Sequence, residues 1–409
     1  MKFMHRLFLC ALLAGQDLSA QDFSYAVRAT QVQFSGAGSI ALREDSLGSL
    51  YGPVHWNNTG LRVPAAFVSG SRMAVSAAFV FRCSKAPDSI VLRGFGTDTI
   101  DFPAQTVALF PAGGVYTCTY PARAASKAFR AGFVDYYAPF TIRWELSLDK
   151  GARWLAADTT KHKVYVTRNS PMPELTAFKY YHTVLELSCK NAKGESTDTG
   201  IISKCWGEFT DQVVLNHKGD SLHYYKTFNT SNTSLPGLMR YRNAQCYTFA
   251  QLFASLVKIQ GVSRTNNYVY ITPQSKSSPC GGTINRFLVR NWNFGVKSDA
   301  VSCPSFPYRN TYTGTYITPS GYVFTSADVS DRIGVSGQCN KNPSSFFNNH
   351  QITKFDGVYY DACYGMKFSS LADIKTRAFD AWGVQLSPGS YNFTSDMSQG
   401  DLIEIISTF

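Results

Sequence analysis

Two prolines one residue apart, in Arg168-Asn169-Ser170-Pro171-Met172-Pro173, divide this chain into halves with different patterning. Each proline fixes its own φ and pushes the residue before it out of the helical region, so regular structure stops here and an extended linker is favoured. At 409 residues the chain also exceeds what one ordinary core holds together, which makes two domains the natural division. The expectation is an α+β protein with an all-β sandwich over residues 21–168, followed by an α+β domain over residues 174–409.

The first half is a succession of short β-prone runs separated by Gly, Pro, Asn and Asp, with no helical period. From Thr141 to Leu148, Ile142, Trp144, Leu146 and Leu148 alternate with Arg143, Glu145 and Ser147, placing one face on a core and the other in water. Asp149-Lys150-Gly151 then turns the chain, and Trp154 and Val164-Tyr165-Val166 continue the pattern. After the prolines, Leu175, Phe178, His182, Leu185 and Cys189 recur at helical spacing, and a second helix is expected around Ile201, Ile202, Cys205 and Phe209.

Residues 1–20 read as an export signal: Lys2 and Arg6 precede an apolar run from Leu7 to Ala14, and Leu18-Ser19-Ala20 precedes Gln21. That run is too short to span a bilayer, and no later segment is apolar for long enough, so no transmembrane anchor is expected. Cys10 lies inside the run, which argues against a lipid-anchored end. The expected location is outside the cell or in a periplasm. The formal charge is +11, but the basic residues are scattered, without a Lys/Arg run or a nucleic-acid module. This argues against nucleic acid as a partner and leaves an anionic cell-envelope polymer, or simple solubility, as the meaning of the charge.

Without the signal, nine cysteines remain: Cys83, Cys118, Cys189, Cys205, Cys246, Cys280, Cys303, Cys339 and Cys363. In an oxidising compartment an odd number implies four disulfides and one free thiol. Sequence order suggests Cys83–Cys118, Cys189–Cys205, Cys280–Cys303 and Cys339–Cys363. None has the close spacing of a zinc site, so no metal is expected.

In the segment Asn243 to Gly261, Phe249, Leu252, Phe253, Leu256 and Val257 fall at the spacing of a core-facing helix, with Asn243 able to cap its start and Gly261 its end. Cys246 then occupies the inward face of the first turn, where the helix dipole and free amides favour negative charge and suit a nucleophile. The competing reading is a small buried cysteine at a helix start. Further on, Asp356-Gly357 lies between two β-prone runs and predicts a two-residue hairpin turn. Phe355 then faces Val358, Ile352 faces Asp361, and His350 becomes the diagonal neighbour of Asp361, close enough for imidazole and carboxylate to meet. The same register turns Cys363 towards His350 as a rival nucleophile. A surface hairpin whose His and Asp merely hydrogen-bond is the plainer alternative.

These segments resemble the transglutaminase-like superfamily, whose motifs are a cysteine opening an apolar helix, a histidine starting a strand and an aspartate on the next strand. Here they correspond to Gln245-Cys246-Tyr247-Thr248-Phe249-Ala250 with Gln260-Gly261-Val262, then Asn349-His350-Gln351, then Tyr360-Asp361-Ala362-Cys363-Tyr364-Gly365. The resemblance covers roughly residues 175–370. Ala362 replaces the family's usual proline, and Cys246 and His350 lie farther apart than in compact bacterial members, as if residues around 280–340 were an insertion. What the resemblance implies is a papain-like α+β domain with Cys246, His350 and Asp361 as catalytic triad, using no cofactor. It implies a thioester acyl-enzyme formed from a peptide, protein or envelope-derived amide, with hydrolysis favoured over crosslinking. The backbone amide of Cys246 would be one oxyanion donor, with Trp206 and Tyr225 as candidates for the second. The alternative is a non-catalytic surface-binding protein using the same scaffold, to which the 23 Tyr and 29 Phe are suited. A polysaccharide-acting enzyme with paired carboxylates finds no acidic pair in a motif-like setting.

Overall fold

The computed structural model describes residues 25–83, 87–172, 180–226, 233–263, 266–278, 281–289 and 336–407, except 342, 344, 345, 388, 389, 395 and 396. It also describes the short strands Tyr308–Arg309, Thr315–Ile317 and Val323–Thr325. The export signal, Leu175, Phe178, Cys280, Cys303 and most of the expected insertion lie outside the described residues. The chain is mixed α+β, and strand outweighs helix.

Ten strands account for the first half: β1 (Tyr25–Ser35), β2 (Trp56–Asn57), β3 (Ala65–Val68), β4 (Ala74–Cys83), β5 (Ser89–Gly96), β6 (Phe102–Ala108), β7 (Phe110–Ala112), β8 (Val115–Ala124), β9 (Asp135–Ser147) and β10 (Leu155–Thr167). They form two five-stranded sheets, ordered β2-β1-β4-β8-β7 and β3-β10-β9-β5-β6. The sheets face each other across one buried cluster, in which Phe79 of β4 meets Trp144 of β9 edge to face with ring centroids 5.2 Å apart. The alternation expected from Thr141 onward holds as far as Leu146: Ile142, Trp144 and Leu146 are buried and Arg143 points to solvent, but Ser147, expected in water, is fully buried and Leu148 is half-buried.

The second half contains α1 (His182–Asn191), α2 (Asp198–Gly207), α3 (Leu235–Tyr241) and α4 (Cys246–Lys258). An antiparallel sheet follows, built from β11 (Asn266–Pro273), β12 (His350–Phe355), β13 (Val358–Asp361), β14 (Met366–Phe368) and β15 (Leu402–Ser407), in the order β14-β13-β12-β11-β15. In α4 every residue except Tyr247 and Lys258 is buried. The helix therefore runs through the middle of a core instead of lying along its edge. Each fully buried Leu or Phe contributes roughly 1.5–3 kcal/mol of transfer free energy, so Leu252, Phe253 and Leu256 anchor α4 firmly. On the sheet side, Thr353 Oγ1 donates to the Ala250 carbonyl at 3.0 Å and Phe355 packs on Phe253.

The sandwich keeps an interior of its own, and a second buried cluster crosses the proline break. Leu42, Ala66, Val134 and Tyr165 from the first half belong to the same buried cluster as Val184, Leu185 and Phe253 from the second. The linker itself is bonded to the end of α4: Arg168 N donates to Gln260 Oε1 at 3.0 Å, Asn169 N to Gln260 O at 3.2 Å and Met172 N to Lys258 O at 3.2 Å. Gly261, at φ 69°, lies so close to Asn169 and Ser170 that a Cβ would collide with both.

Among the described residues the expected bridges Cys83–Cys118, Cys189–Cys205 and Cys339–Cys363 are not formed, since Cys83, Cys118, Cys189, Cys205, Cys246, Cys339 and Cys363 are all free thiols, while Cys280–Cys303 lies outside the described residues. Cys118 pairs with Phe79 in the β4–β8 register, four positions from Cys83. At about 3.3 Å per residue that is ~13 Å along the strand, well beyond disulfide reach. Cys189 Sγ is directed at the Val166 carbonyl and Cys205 Sγ at that of Leu256, and Cys339 Sγ at Val214 O while Cys363 Sγ points at Cys246 O. Neighbours in sequence are thus directed to different backbone acceptors.

Candidate functional site

The first residue of α4 is Cys246, preceded by Gln245 in extended conformation as N-cap. Asn243, expected to cap, instead lies in a two-residue strand with Ala244, parallel to His223–Tyr224, and its Oδ1 accepts from Lys226 N at 2.8 Å. This pairing brings Tyr224 and Tyr225 to the start of α4, where Tyr225 N donates to Ala244 O at 3.1 Å.

The hairpin has the predicted register. Phe355 pairs with Val358, Lys354 with Tyr359 and Thr353 with Tyr360. Asp356 and Gly357 both have positive φ, 49° and 83°, the geometry that matches a two-residue turn to the twist of its strands. His350 Nε2 and Asp361 Oδ2 are consequently 2.8 Å apart. Asp361 Oδ1 accepts from Cys363 N at 3.0 Å, which fixes the plane of the carboxylate. The imidazole is held on its faces by Phe347, Tyr364 and Tyr224, at centroid distances of 5.4, 5.7 and 6.4 Å.

The second ring nitrogen, Nδ1, is buried, and the thiol of Cys246 stands beside the ring within reach of it. Burial disfavours the imidazolium, but Asp361 outweighs it by charge and hydrogen bond, and with Cys246 pushes the His350 pKa up to about 10. The cysteine from α4, the histidine from β12 and the aspartate from β13 are thus brought together at one place, each less than a tenth exposed.

Cys363 is also close. Its Sγ, a ring nitrogen of His350 and a carboxylate oxygen of Asp361 all lie within 4.8 Å of one another. Burial, then Asp361, pushes this thiol well above the ordinary range, and its sulfur is directed at Cys246 O at 3.8 Å. It is therefore held protonated. The Asp361 oxygens are already engaged by His350 and Cys363 N.

Of the two expected oxyanion donors, only Tyr225 is near the sulfur: burial, then Cys246 and Cys363, raises its phenol pKa. Its φ of 49° is unusual for a bulky residue and aims the side chain from a tight turn. Trp206 is instead embedded against Phe253 and Tyr360, at 5.3 and 5.1 Å. Phe253 lies about 10 Å along α4 from Cys246 at 1.5 Å per residue, so Trp206 belongs to the core. Sequence reasoning missed three further neighbours of Cys246, namely Tyr224, Tyr270 and Tyr364, whose phenols its charge also pushes up in addition to burial. They come from three separate segments, and no local spacing announces them. Beyond His350 and Asp361, the pair also walls an apolar cavity of about 170 Å³ lined by Ile271, Phe287, Ile352 and Phe379.

No protein-family model matches this chain, and no curated protein does. Among the described residues, no helix is long and apolar enough to cross a membrane.

Proposed function

We propose that this chain is a cysteine-nucleophile enzyme acting on amide bonds, built as a β-sandwich followed by a papain-like, transglutaminase-like α+β domain. The observation that carries the reading is the 2.8 Å His350–Asp361 pair set beside Cys246 at the start of a buried helix. In this mechanism Cys246 Sγ attacks the amide carbonyl carbon and its proton is held by His350 Nδ1. The Cys246 backbone N–H and the Tyr225 hydroxyl stabilise the oxyanion. His350 then passes the proton to the departing amine as the C–N bond breaks, leaving a thioester on Cys246. Water, deprotonated by His350, releases the acid. Asp361 holds the ring in one orientation and stabilises its charged form. No amine-binding site is evident from the sequence, which favours hydrolysis over crosslinking.

A thiol-directed amide probe, followed by peptide mapping, tests this. Label is expected at Cys246, and loss of labelling in His350→Ala is expected with it. Label at Cys363 or elsewhere, or no label at all, rejects the assignment.

One observation favours a second reading, a non-catalytic binding protein on the same scaffold. Cys246, His350 and Asp361 are 7, 6 and 5% exposed, a more closed arrangement than a working site needs at rest. Under that reading Cys246 reacts no faster with the probe than in denaturant.

A further inference from the structure

The cavity against His350 and Asp361 has built walls. Ile271 and Ile352 of the central sheet face Phe287, Ile374 and Phe379 across a space of about 170 Å³. The Phe287 and Phe379 rings are stacked with centroids 4.2 Å apart, and Phe287 also packs on Phe347, the residue that holds a face of the His350 imidazole. The shape of the cavity is thus locked to the imidazole through rings that touch one another. Arg377 runs from its wall to the surface, with a side chain 48% exposed, and the neighbouring Ala378 is half-buried. The cavity meets solvent on this side.

The charged groups in the wall are already engaged. His350 Nε2 and Asp361 Oδ2 hold each other, Asp361 Oδ1 accepts from Cys363 N, and the Arg377 guanidinium donates to Lys367 O and to Asp373. The rest of the wall is aliphatic and aromatic. A water kept in a cavity needs two to four polar partners, whereas an engineered apolar cavity of about 150 Å³ stays dry and takes up benzene. By that measure this cavity suits one branched aliphatic side chain or one phenyl ring.

Its position relative to the sulfur decides which part of a substrate enters. Cys246 does not line the cavity, whereas both members of the His350–Asp361 pair do. The ring turns Nε2 to Asp361 and has the Cys246 thiol within reach of its other nitrogen, so a group seated against the pair lies past the imidazole from the sulfur. In acylation the acyl carbon bonds to Cys246 Sγ, the C–N bond breaks, and the amine departs with the proton that His350 carried. The half of the substrate on the histidine side is therefore the departing amine. Resting on the cysteine-enzyme reading above, we propose that this cavity is the amine-side subsite and selects amides whose departing residue carries a Leu- or Phe-sized apolar side chain. Ile374 and Phe379 are then specificity-determining residues.

Two measurements on the full chain test this. In carbon-13 methyl spectra, leucinamide and phenylalaninamide are expected to shift the Ile271, Ile352 and Ile374 signals and to bind about tenfold or more tightly than glycinamide, the effect of burying one such side chain. Separately, p-nitrophenyl acetate loads Cys246 with an acetyl group, releasing p-nitrophenolate, and the same amines compete with water for that thioester. Leucinamide is expected to take the acetyl group about tenfold or more efficiently than glycinamide. Ala378→Phe, at the half-buried rim, is expected to erase the preference, and Ile374→Ala to extend it to tryptophanamide, each judged in a chain that still melts cooperatively; one folded variant suffices. Acetylation that is absent, or unchanged in Cys246→Ala, removes the enzyme reading and this inference with it. Acetylation at Cys246 with equal use of the three amines, methyl signals that do not respond, or a preference that survives the substitutions overturns the subsite alone.

Discussion

His350 and Asp361 meet at 2.8 Å because two residues between their strands, Asp356 and Gly357, both accept positive φ. The catalytic geometry proposed for this chain thus depends on a turn that touches no reacting atom.

Substituting the aspartate tests the electrostatic side of that relationship. Asp361→Asn leaves a buried imidazole without its counter-charge, and breaking a buried pair from one side costs about 3–5 kcal/mol. His350 has a folded pKa of about 10 against an ordinary value of 6.5. Its contribution to stability is therefore complete below pH 6.5 and fades as pH rises towards 10. Urea unfolding at pH 6, 8 and 10 is expected to show this decline in the native chain and a flatter profile in Asp361→Asn. An equal slope in both chains would refute the assignment.

The turn can be probed apart from the pair. A Cβ at Gly357 meets nothing within 4 Å, so Gly357→Ala carries only the backbone penalty of an L-residue at positive φ, roughly 1–2 kcal/mol. At Gly365, with φ 67°, the Cβ would also meet the Phe209 carbonyl. Thermal denaturation is expected to rank Gly365→Ala as the more damaging of the two.

Removal of the Tyr225 hydroxyl is expected to slow acylation of Cys246 by about 10²-fold, the usual effect of deleting one oxyanion donor, with little change in melting temperature. Trp206→Phe is expected to do the opposite, since its ring packs on Phe253 and Tyr360. Stopped-flow labelling beside a melting curve separates the two.

With seven described cysteines free, the melting temperature is expected to be the same with and without a reductant. Alkylation in denaturant, without prior reduction, is expected to modify all seven. A pair that resists until reduced would restore one of the bridges suggested by sequence order.

The parts of the site legible in the sequence were those set by local rules. Asp356-Gly357 dictates a register, and the register alone makes His350 and Asp361 neighbours. The apolar period from Phe249 to Val257 likewise dictates α4, although burial on nearly all sides exceeds what one apolar stripe implies. What remained hidden depends on contacts between distant segments. Cys83 and Cys118 fall on strands as expected, yet on neighbouring strands of one sheet, and their four-position offset is a property of the β4–β8 register and not of their spacing in sequence. Asn243 has the chemistry of a cap, but strand pairing with His223 takes it two residues too early. Tyr270 and Tyr364 reach Cys246 from β11 and from the turn after β13, which no window around Cys246 contains.

Gly261 has a mechanical consequence. Its missing side chain lets the tail of α4 lie flush against the strap of backbone at Asn169 and Ser170. A rod ~20 Å long, at 1.5 Å per residue, therefore carries the sulfur at one tip and is clasped at the other by the stretch of backbone that joins the chain's two halves. Tilting one half against the other would lever that rod, so the position of the thiol is registered against the whole molecule and not merely against its immediate neighbours.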